Sequence, residues 1–334
     1  LYNNSWGNFD FNATLGGNLY KVNNQTIVTT AKDMKIRDVV ALMSFNEVSV
    51  EPYSYRKQIN SIYGAVNLGW KHMLYFDATL RGDQSSTLPI SNNMYIYPSF
   101  SGSFVFSELL KLGDKLPYGK VRMSWAQVGS DTDPYQLGLV YTKSKFAYPG
   151  YTIGYISNGT IPNKDLKPTK TNSFEMGLEL KFLKNRIGLD FTYYSQLSKN
   201  QIMGMASSST SGYGYRLINA GEIENKGVEI ALNTRPIQTK DFSWDLNFNF
   251  SKNSNKVKKL VDDMDMFELE KATWLDVQVA AKVGENFGSI VGPDFQRNEN
   301  GDILIDPSTG LPMYDKSNHV LGNASWGLAR GVFT

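Results

Sequence analysis

Residues 244–251, WDLNFNFS, alternate without a fault. Trp244, Leu246, Phe248 and Phe250 are apolar, while Asp245, Asn247, Asn249 and Ser251 are polar. Successive side chains of a strand point to opposite faces, so this spacing predicts a strand with one apolar and one polar face. The same spacing recurs along the chain. Phe9, Phe11, Ala13 and Leu15 form one such set, Ile62, Gly64, Val66, Leu68 and Trp70 a second, and Leu74, Phe76, Ala78 and Leu80 a third. Met176, Leu178, Leu180 and Phe182 follow, then Ile187, Leu189, Phe191 and Tyr193, then Val228, Ile230 and Leu232. Roughly a dozen strands are predicted. Several runs approach the roughly 9–11 residues that a tilted strand needs to cross a bilayer, against about 5–6 in soluble sheets.

The predicted connections are unequal. Lys71-His72, Leu183-Lys184-Asn185 and Pro236–Asp241 are short; 82–94, 130–170 and 196–221 are long and rich in Gly, Ser, Asn and Tyr. Long and short alternate, which is the layout of an outer-membrane barrel with brief periplasmic turns and large external loops. The medium connection 107–120 reads as a small amphipathic turn on the short side. Helical spacing is sparse: residues 31–44, with Met34, Val39, Leu42 and Met43, and residues 257–271 are the two helix expectations.

Composition changes the picture in a few respects. Aromatic residues are frequent, at 19 Tyr, 18 Phe and 6 Trp. No run of eighteen apolar residues exists, and the mean hydropathy is negative. Neither fact argues against a barrel, because each outward apolar residue alternates with a polar one. Basic and acidic residues balance, 34 against 32, which gives no nucleic-acid footprint. The absence of cysteine rules out disulfides, thiolate metal sites and a Cys nucleophile. Leu1 falls inside the alternating pattern, as expected of a mature chain or a fragment.

RGDQSSTLPISNNMYIYPSFSGSFVFSELL (81–110), with SYRKQINSIYGAVNLGWKHMLYFDATLRGD (54–83) upstream, resembles the SusC/RagA-type TonB-dependent transporters of the outer membrane. VRMSWAQVGSDTDPYQL (121–137), LKPTKTNSFEMGLELKFLKNRIGLDFTYY (166–194) and NAGEIENKGVEIAL (219–232) match further family segments in order. The resemblance implies an all-β fold, an antiparallel transmembrane β-barrel of 22 strands closed by an N-terminal plug. It also implies import of oligosaccharides or peptides, a SusD-like surface lipoprotein as lid, and TonB acting through the plug. On this reading residues 1–334 are a partial barrel domain, without plug, TonB box or final strands, and without enzymatic activity or cofactor.

Arg81 and Asp83 at a strand end are read either as substrate contacts or, preferably, as a structural ion pair. The loop aromatics Tyr135, Tyr141, Phe146, Tyr148, Tyr151 and Tyr155 suit stacking on sugar rings, packing on a lid, or simply holding a large loop together. Glu175, Glu179 and Glu229 fall on the polar face, where the default reading is solvated lumen charges and the alternatives are pairing with Arg186, Arg122 or Lys226 or contact with the plug. Trp70, Tyr193, Tyr194 and Trp244 read as interfacial aromatics near strand ends. In DFQRNENGD (294–302) the calcium-loop spacing fails, because the position-twelve residue would be Pro307 rather than Glu, and an Asx-rich turn is expected instead. His319 and Asp315 lack any nucleophile motif. The rival readings are a secreted, soluble β-sandwich that binds or hydrolyses carbohydrate, and a receptor that mainly signals.

Overall fold

The computed structural model describes residues 1–111, 113–139, 141–143, 151, 153–156, 159–261, 264–271 and 276–323. Antiparallel hairpins run from β1 (Tyr2–Trp6) and β2 (Phe9–Met34) through β3 (Phe45–Trp70), β4 (Leu74–Ser85) and β5 (Met94–Phe104) to β6 (Tyr118–Ser130). The long connection that follows carries β7 (Tyr141–Lys143), β8 (Gly154–Ile156) and β9 (Thr160–Ile161). β10 (Thr169–Phe182) then pairs back onto β6, and β11 (Ile187–Ala206), β12 (Tyr215–Gln238) and β13 (Ser243–Lys259) extend the same sheet. A separate four-stranded sheet comprises β14 (Met266–Lys271), β15 (Gln278–Lys282), β16 (Phe287–Phe295) and β17 (Tyr314–Asn323).

Directly opposed residues share a face, so the pairing register joins the alternating runs into rows. One row crosses nine strands: Phe9, Trp70, Leu74, Phe104, Val121, Leu178, Phe191, Ile230 and Phe250. Every member is apolar. The next residue along each strand lies on the other face, where Asp10, Gly69, Tyr75, Ser103, Arg122, Gly177, Thr192, Glu229 and Ser251 form a second row. The sheet therefore has two continuous faces of opposite character.

The apolar belt does not run parallel to these rows. On β13 it extends from Phe250 toward the short turns, through Phe248 and Leu246 to Trp244. On β2 it extends from Phe9 the other way, through Phe11, Ala13 and Leu15 to Leu19. Phe250 thus tops the belt in the row where Phe9 begins it. A belt that slides against its hydrogen-bond rows is the sign of strands tilted to the belt's plane, as barrel closure demands.

Much of this belt is left uncovered by the described residues. Trp244, Leu246, Phe248 and Phe250 are 43–59% exposed, and Leu15, Ile62, Phe76, Leu80, Phe100 and Met123 are likewise exposed. The buried apolar side chains lie elsewhere, beyond the belt on the side of the long connections. Leu88, Tyr95, Leu166 and Leu217 form one core, against which Tyr97, Leu137 and Ile202 pack. Val257, Leu260, Phe267 and Ala281 form another, where β13 meets the four-stranded sheet.

The turns explain the loop asymmetry. Lys71 and His72 adopt left-handed φ of 50° and 53°, and Leu183, Lys184 and Asn185 adopt 51°, 57° and 65°. Positive φ at successive central residues is what tight hairpins need to match strand twist. The short-side connections are 7–8, 71–73, 183–186 and 239–242, joined by 105–117 with its one-turn helix Ser107–Leu110. The long side carries 35–44, 86–93, 131–168 and 207–214.

Several expectations are corrected. Residues 31–44 are not a helix: β2 continues to Met34, and only Leu42–Ser44 is a short 3-10 turn. The ladder to β3 runs from Phe9↔Trp70 to Met34↔Phe45, and this pairing outcompetes a short helix with no core to pack on. Residues 257–271 are not a helix either, since they hold the end of β13 and all of β14, with 262–263 outside the described residues. The 196–221 connection shrinks to 207–214, because β11 and β12 stay paired up to Ala206↔Tyr215. Tyr193 lies mid-strand rather than at a strand end, and Tyr194 points to the polar face, where its hydroxyl donates to Asn253 Oδ1 at 3.1 Å.

At 26 residues each, β2 and β3 reach on the order of 85 Å. The belt uses only their lower part, so a two-stranded hairpin projects beyond it. The Arg56 N–H donates to the Tyr135 hydroxyl at 3.1 Å and the Gln58 N–H to Ser86 Oγ at 3.0 Å, so even-numbered positions of β3 face its outer edge. Pro52 occupies one of these positions. A missing N–H there interrupts the donor row that would otherwise template another strand.

Candidate functional site: the polar face and its outer mouth

The polar face carries two buried charge networks at the long-connection end and one in the middle. Arg81 Nε donates to Asp83 Oδ1 at 2.9 Å, and an Arg81 terminal nitrogen donates to Ser61 Oγ at 2.9 Å. The Tyr97 hydroxyl donates to the other Asp83 oxygen. Tyr63 lies under the guanidinium at 5.8 Å, and Tyr95 stacks on Tyr97 at 5.9 Å. Asp83 is buried, and a buried carboxylate is tolerable only with such a full set of donors. Arg81 and Asp83 are thus brought together as an ion pair, embedded in three tyrosines.

The second network ties the mouth together. Lys57 Nζ, on β3, donates to Asp131 Oδ1 at 2.7 Å. The Ser85 and Thr87 hydroxyls donate to Asp131 Oδ2, the latter at 3.1 Å. Ser85 and Thr87 are almost fully buried. Loop 86–93 and the start of the long connection after β6 are thereby pinned to β3. The sequence gives no spacing cue for this, because the partners lie 74 and 46 positions apart.

The middle network spans three strands. Arg122 on β6 donates to both Asp190 oxygens on β11, at 2.8 and 3.2 Å, and to Thr192 Oγ1 at 2.7 Å. It crosses β10 above Gly177, where an added Cβ would lie 2.5 Å from the guanidinium. Glycine at 177 is the passage for this side chain. Arg122 thus takes Asp190, rather than one of the glutamates, as its ion-pair partner. Lys226 lies on the apolar-side face and pairs with Glu224 at 2.8 Å, not with Glu229. Glu179 sits 3.9 Å from Lys181. Glu175 and Glu229 are exposed and make no ion pair among the described residues. A groove of about 320 Å³ joins Arg122, Asp190, Thr192 and Glu229.

The loop aromatics separate. Tyr135 binds the β3 edge through Arg56. Tyr141 and Tyr155 share the β7–β8 hairpin, where Tyr141 pairs with Ile156 and Tyr155 with Thr142. Tyr135, Tyr141, Tyr151 and Tyr155 are all exposed; Phe146 and Tyr148 lie outside the described residues. Asn298 Oδ1 accepts from the Asn300 and Asp302 N–H groups at 2.9 Å each, an Asx-type turn. His319 Nε2 lies 2.8 Å from both Asp315 and Ser317 Oγ, with Ser317 exposed and the other two partly so. The Ser317 N–H, the Ser317 hydroxyl and His319 hold the Asp315 carboxyl down to about 2.

An uncovered apolar belt on one face, a charged and hydroxylated face behind it, and strands tilted across the belt define a wall of a transmembrane β-barrel. No helix among the described residues is long and apolar enough to cross a membrane. Residues 1–296 match the family model described as TonB dependent receptor-like, beta-barrel, and the chain belongs to this family of outer-membrane receptors. It is 28% identical over 309 residues to TonB-dependent receptor P3 of Formosa agariphila, covering 88% of this chain and 30% of that protein. It is 30% identical over 225 residues to TonB-dependent receptor SusC of Bacteroides thetaiotaomicron, covering 64% of this chain and 22% of SusC. Among solved structures, the RagAB peptide transporter superposes with a TM-score of 0.80 at 20% identity, over 97% of this chain and 36% of that one. The chain spans about a third or less of the length of these relatives.

Proposed function

We propose that this wall forms part of a TonB-dependent importer that takes up an oligosaccharide or peptide without breaking any of its bonds. Substrate arrives on the long-connection side, between external loops and a SusD-like lipoprotein lid. It passes inward when TonB remodels a plug in the lumen. The observation that carries this reading is the division of labour between the two faces. One face is an exposed apolar belt suited to lipid; the other holds charged and hydroxylated side chains. Arg81, Asp83, Tyr135, Tyr141, Tyr151 and Tyr155, joined by Tyr63 and Tyr97, are the proposed mouth contacts, offering ring faces and hydroxyls to sugars or peptide groups. Phe146 and Tyr148, which lie outside the described residues, are proposed with them from the sequence alone. Glu175 and Glu229 are proposed to meet cationic groups of the plug.

A soluble sandwich is not favoured, because its apolar faces would pack against a second layer. Deleting the plug or the TonB box from the full-length protein is expected to abolish growth on the imported substrate. Undiminished growth after either deletion contradicts the proposal.

A further inference from the structure

We propose that the four-stranded sheet β14–β17 carries a groove of its own that binds a short, neutral oligosaccharide. The pairing register builds one face of this sheet. Glu268 opposes Ala280, and Lys271 opposes Gln278, which in turn opposes Val291. Ala280 and Gln278 lie two positions apart on β15, so they and their partners share a face. Val291, Pro293 and Phe295 alternate along β16, and Phe295 opposes Tyr314, with Lys316 two positions further on β17. Phe267 and Ala281 oppose each other on the reverse face, in the core shared with Val257 and Leu260.

A groove of about 630 Å³ runs across the first of these faces, within the range of small-ligand sites, about 300–1,000 Å³. Four charged side chains line it: Glu268, Lys271, Asp276 and Lys316. All four are exposed, and none makes an ion pair among the described residues. Tyr314 completes the groove and is 58% exposed. Its ring is braced by Phe295, centroid to centroid 4.7 Å, and Gln296 Nε2 donates to its carbonyl at 3.1 Å. The tyrosine is thus held in place by its neighbours while most of it stays open.

This chemistry selects the ligand. Two carboxylates and two ammonium groups cancel, so the groove favours neither a polyanion nor a polycation. It offers acceptors and donors in one place. A sugar hydroxyl both donates and accepts, and a charged partner strengthens each hydrogen bond it makes. The C–H face of a pyranose ring packs on an aromatic ring such as that of Tyr314. An apolar peptide finds little beyond Met266, Pro293 and the tyrosine ring. The inference rests on the importer reading only for its purpose, which is to hold a glycan substrate on the long-connection side before it enters.

The test uses the full-length protein in detergent, where binding needs neither TonB nor uptake. Hydrogen exchange is followed at 266–271, 276–278 and 314–316 with millimolar maltohexaose, cellohexaose or mannohexaose, with an oligouronate of the same length, and with a capped, uncharged hexapeptide. At least one neutral hexasaccharide is expected to slow exchange in these segments, and the oligouronate and the peptide are not. Tyr314→Ala is expected to weaken that binding about tenfold, and Tyr314→Phe to keep it. E268A/D276A, which removes only exposed side chains, is expected to lose about tenfold or more, and gives the same answer should Tyr314→Ala fail to fold. The site is overturned if no neutral hexasaccharide protects these segments, if the oligouronate or the peptide protects them equally, or if E268A/D276A binds as the native protein does. Protection confined to Arg81–Tyr97 also overturns it, while leaving import through the mouth intact.

Discussion

The main sheet and the four-stranded sheet of β14–β17 are built from the same alternating vocabulary, yet they dispose of their apolar residues in opposite ways. In β15 and β16, Ala280, Ala281 and Val291 are completely buried, and Phe267 on β14 packs with Val257 and Leu260. In β13, one strand earlier, Leu246, Phe248 and Phe250 stand uncovered. Periodicity alone therefore tells which residues share a face, but not what that face meets. What separates the two regions is continuity. The wall repeats its apolar positions over nine neighbouring strands in register, whereas the outer sheet has only enough apolar area to close on itself and on the end of β13.

This contrast is broken most forcefully by truncating the closed region. Phe267→Ala is expected to cost about 3–5 kcal/mol, with hydrogen exchange rising across β14–β17 while β10–β12 keep their protection. Equal loss of protection in both sheets would erase the distinction. A charge placed on the belt is next in size. Leu189→Arg is expected to destabilise the barrel by about 2–4 kcal/mol in lipid vesicles, as a cation near the bilayer midplane does. Asn249→Lys, on the other face, stays within about 0.5 kcal/mol. Similar costs at the two positions would mean the faces are not differently solvated.

Smaller effects sharpen the account of the polar face. Gly177→Val fills the passage under Arg122 and separates it from Asp190. The pair is about one-third exposed, so the loss is about 1 kcal/mol or less, and Asp190→Asn in the same background should add almost nothing. An additive loss in that double-mutant cycle would show that Arg122 does not depend on Gly177. The smallest effect is local and pH-driven. Asp315 titrates below its ordinary 3.8, near 2, so its ionised form supports the turn to Ser317 above about pH 4. That support fades as the pH falls through about 2. Amide exchange at Ser317 should rise over that interval; unchanged exchange would remove Asp315 from the turn.

Much of the wall was legible because lipid imposes a strict period. Phe9 to Leu15, Leu74 to Leu80 and Trp244 to Phe250 announce both strand and face. Beyond the belt that constraint lapses, and the signal with it. Residues 31–34 and 199–206 remain paired, held by backbone hydrogen bonds that leave no hydrophobic period, so helix and loop were expected there. The site was legible only in part for a related reason. Arg81 and Asp83 sit two positions apart on one face, and alternation brings them together. Arg122 and Asp190, or Lys57 and Asp131, meet through strand order and register, which no local pattern encodes. The glycine at 177 was the one available hint, since it interrupts the polar face at the point that Arg122 crosses.

The central claim is that the apolar face meets acyl chains while the opposite face meets water. The wall contains no cysteine, so single spin labels can be introduced along β11, which is paired on both sides. The decisive measurement compares collision rates with oxygen and with a water-soluble nickel chelate at positions 189–193 of the full-length protein in lipid. The account predicts an alternation: labels at Leu189, Phe191 and Tyr193 favour oxygen, and labels at Asp190 and Thr192 either favour the chelate or are shielded from both. Chelate-dominated collisions at Leu189 and Phe191, or shielding of both from either reagent, would contradict it.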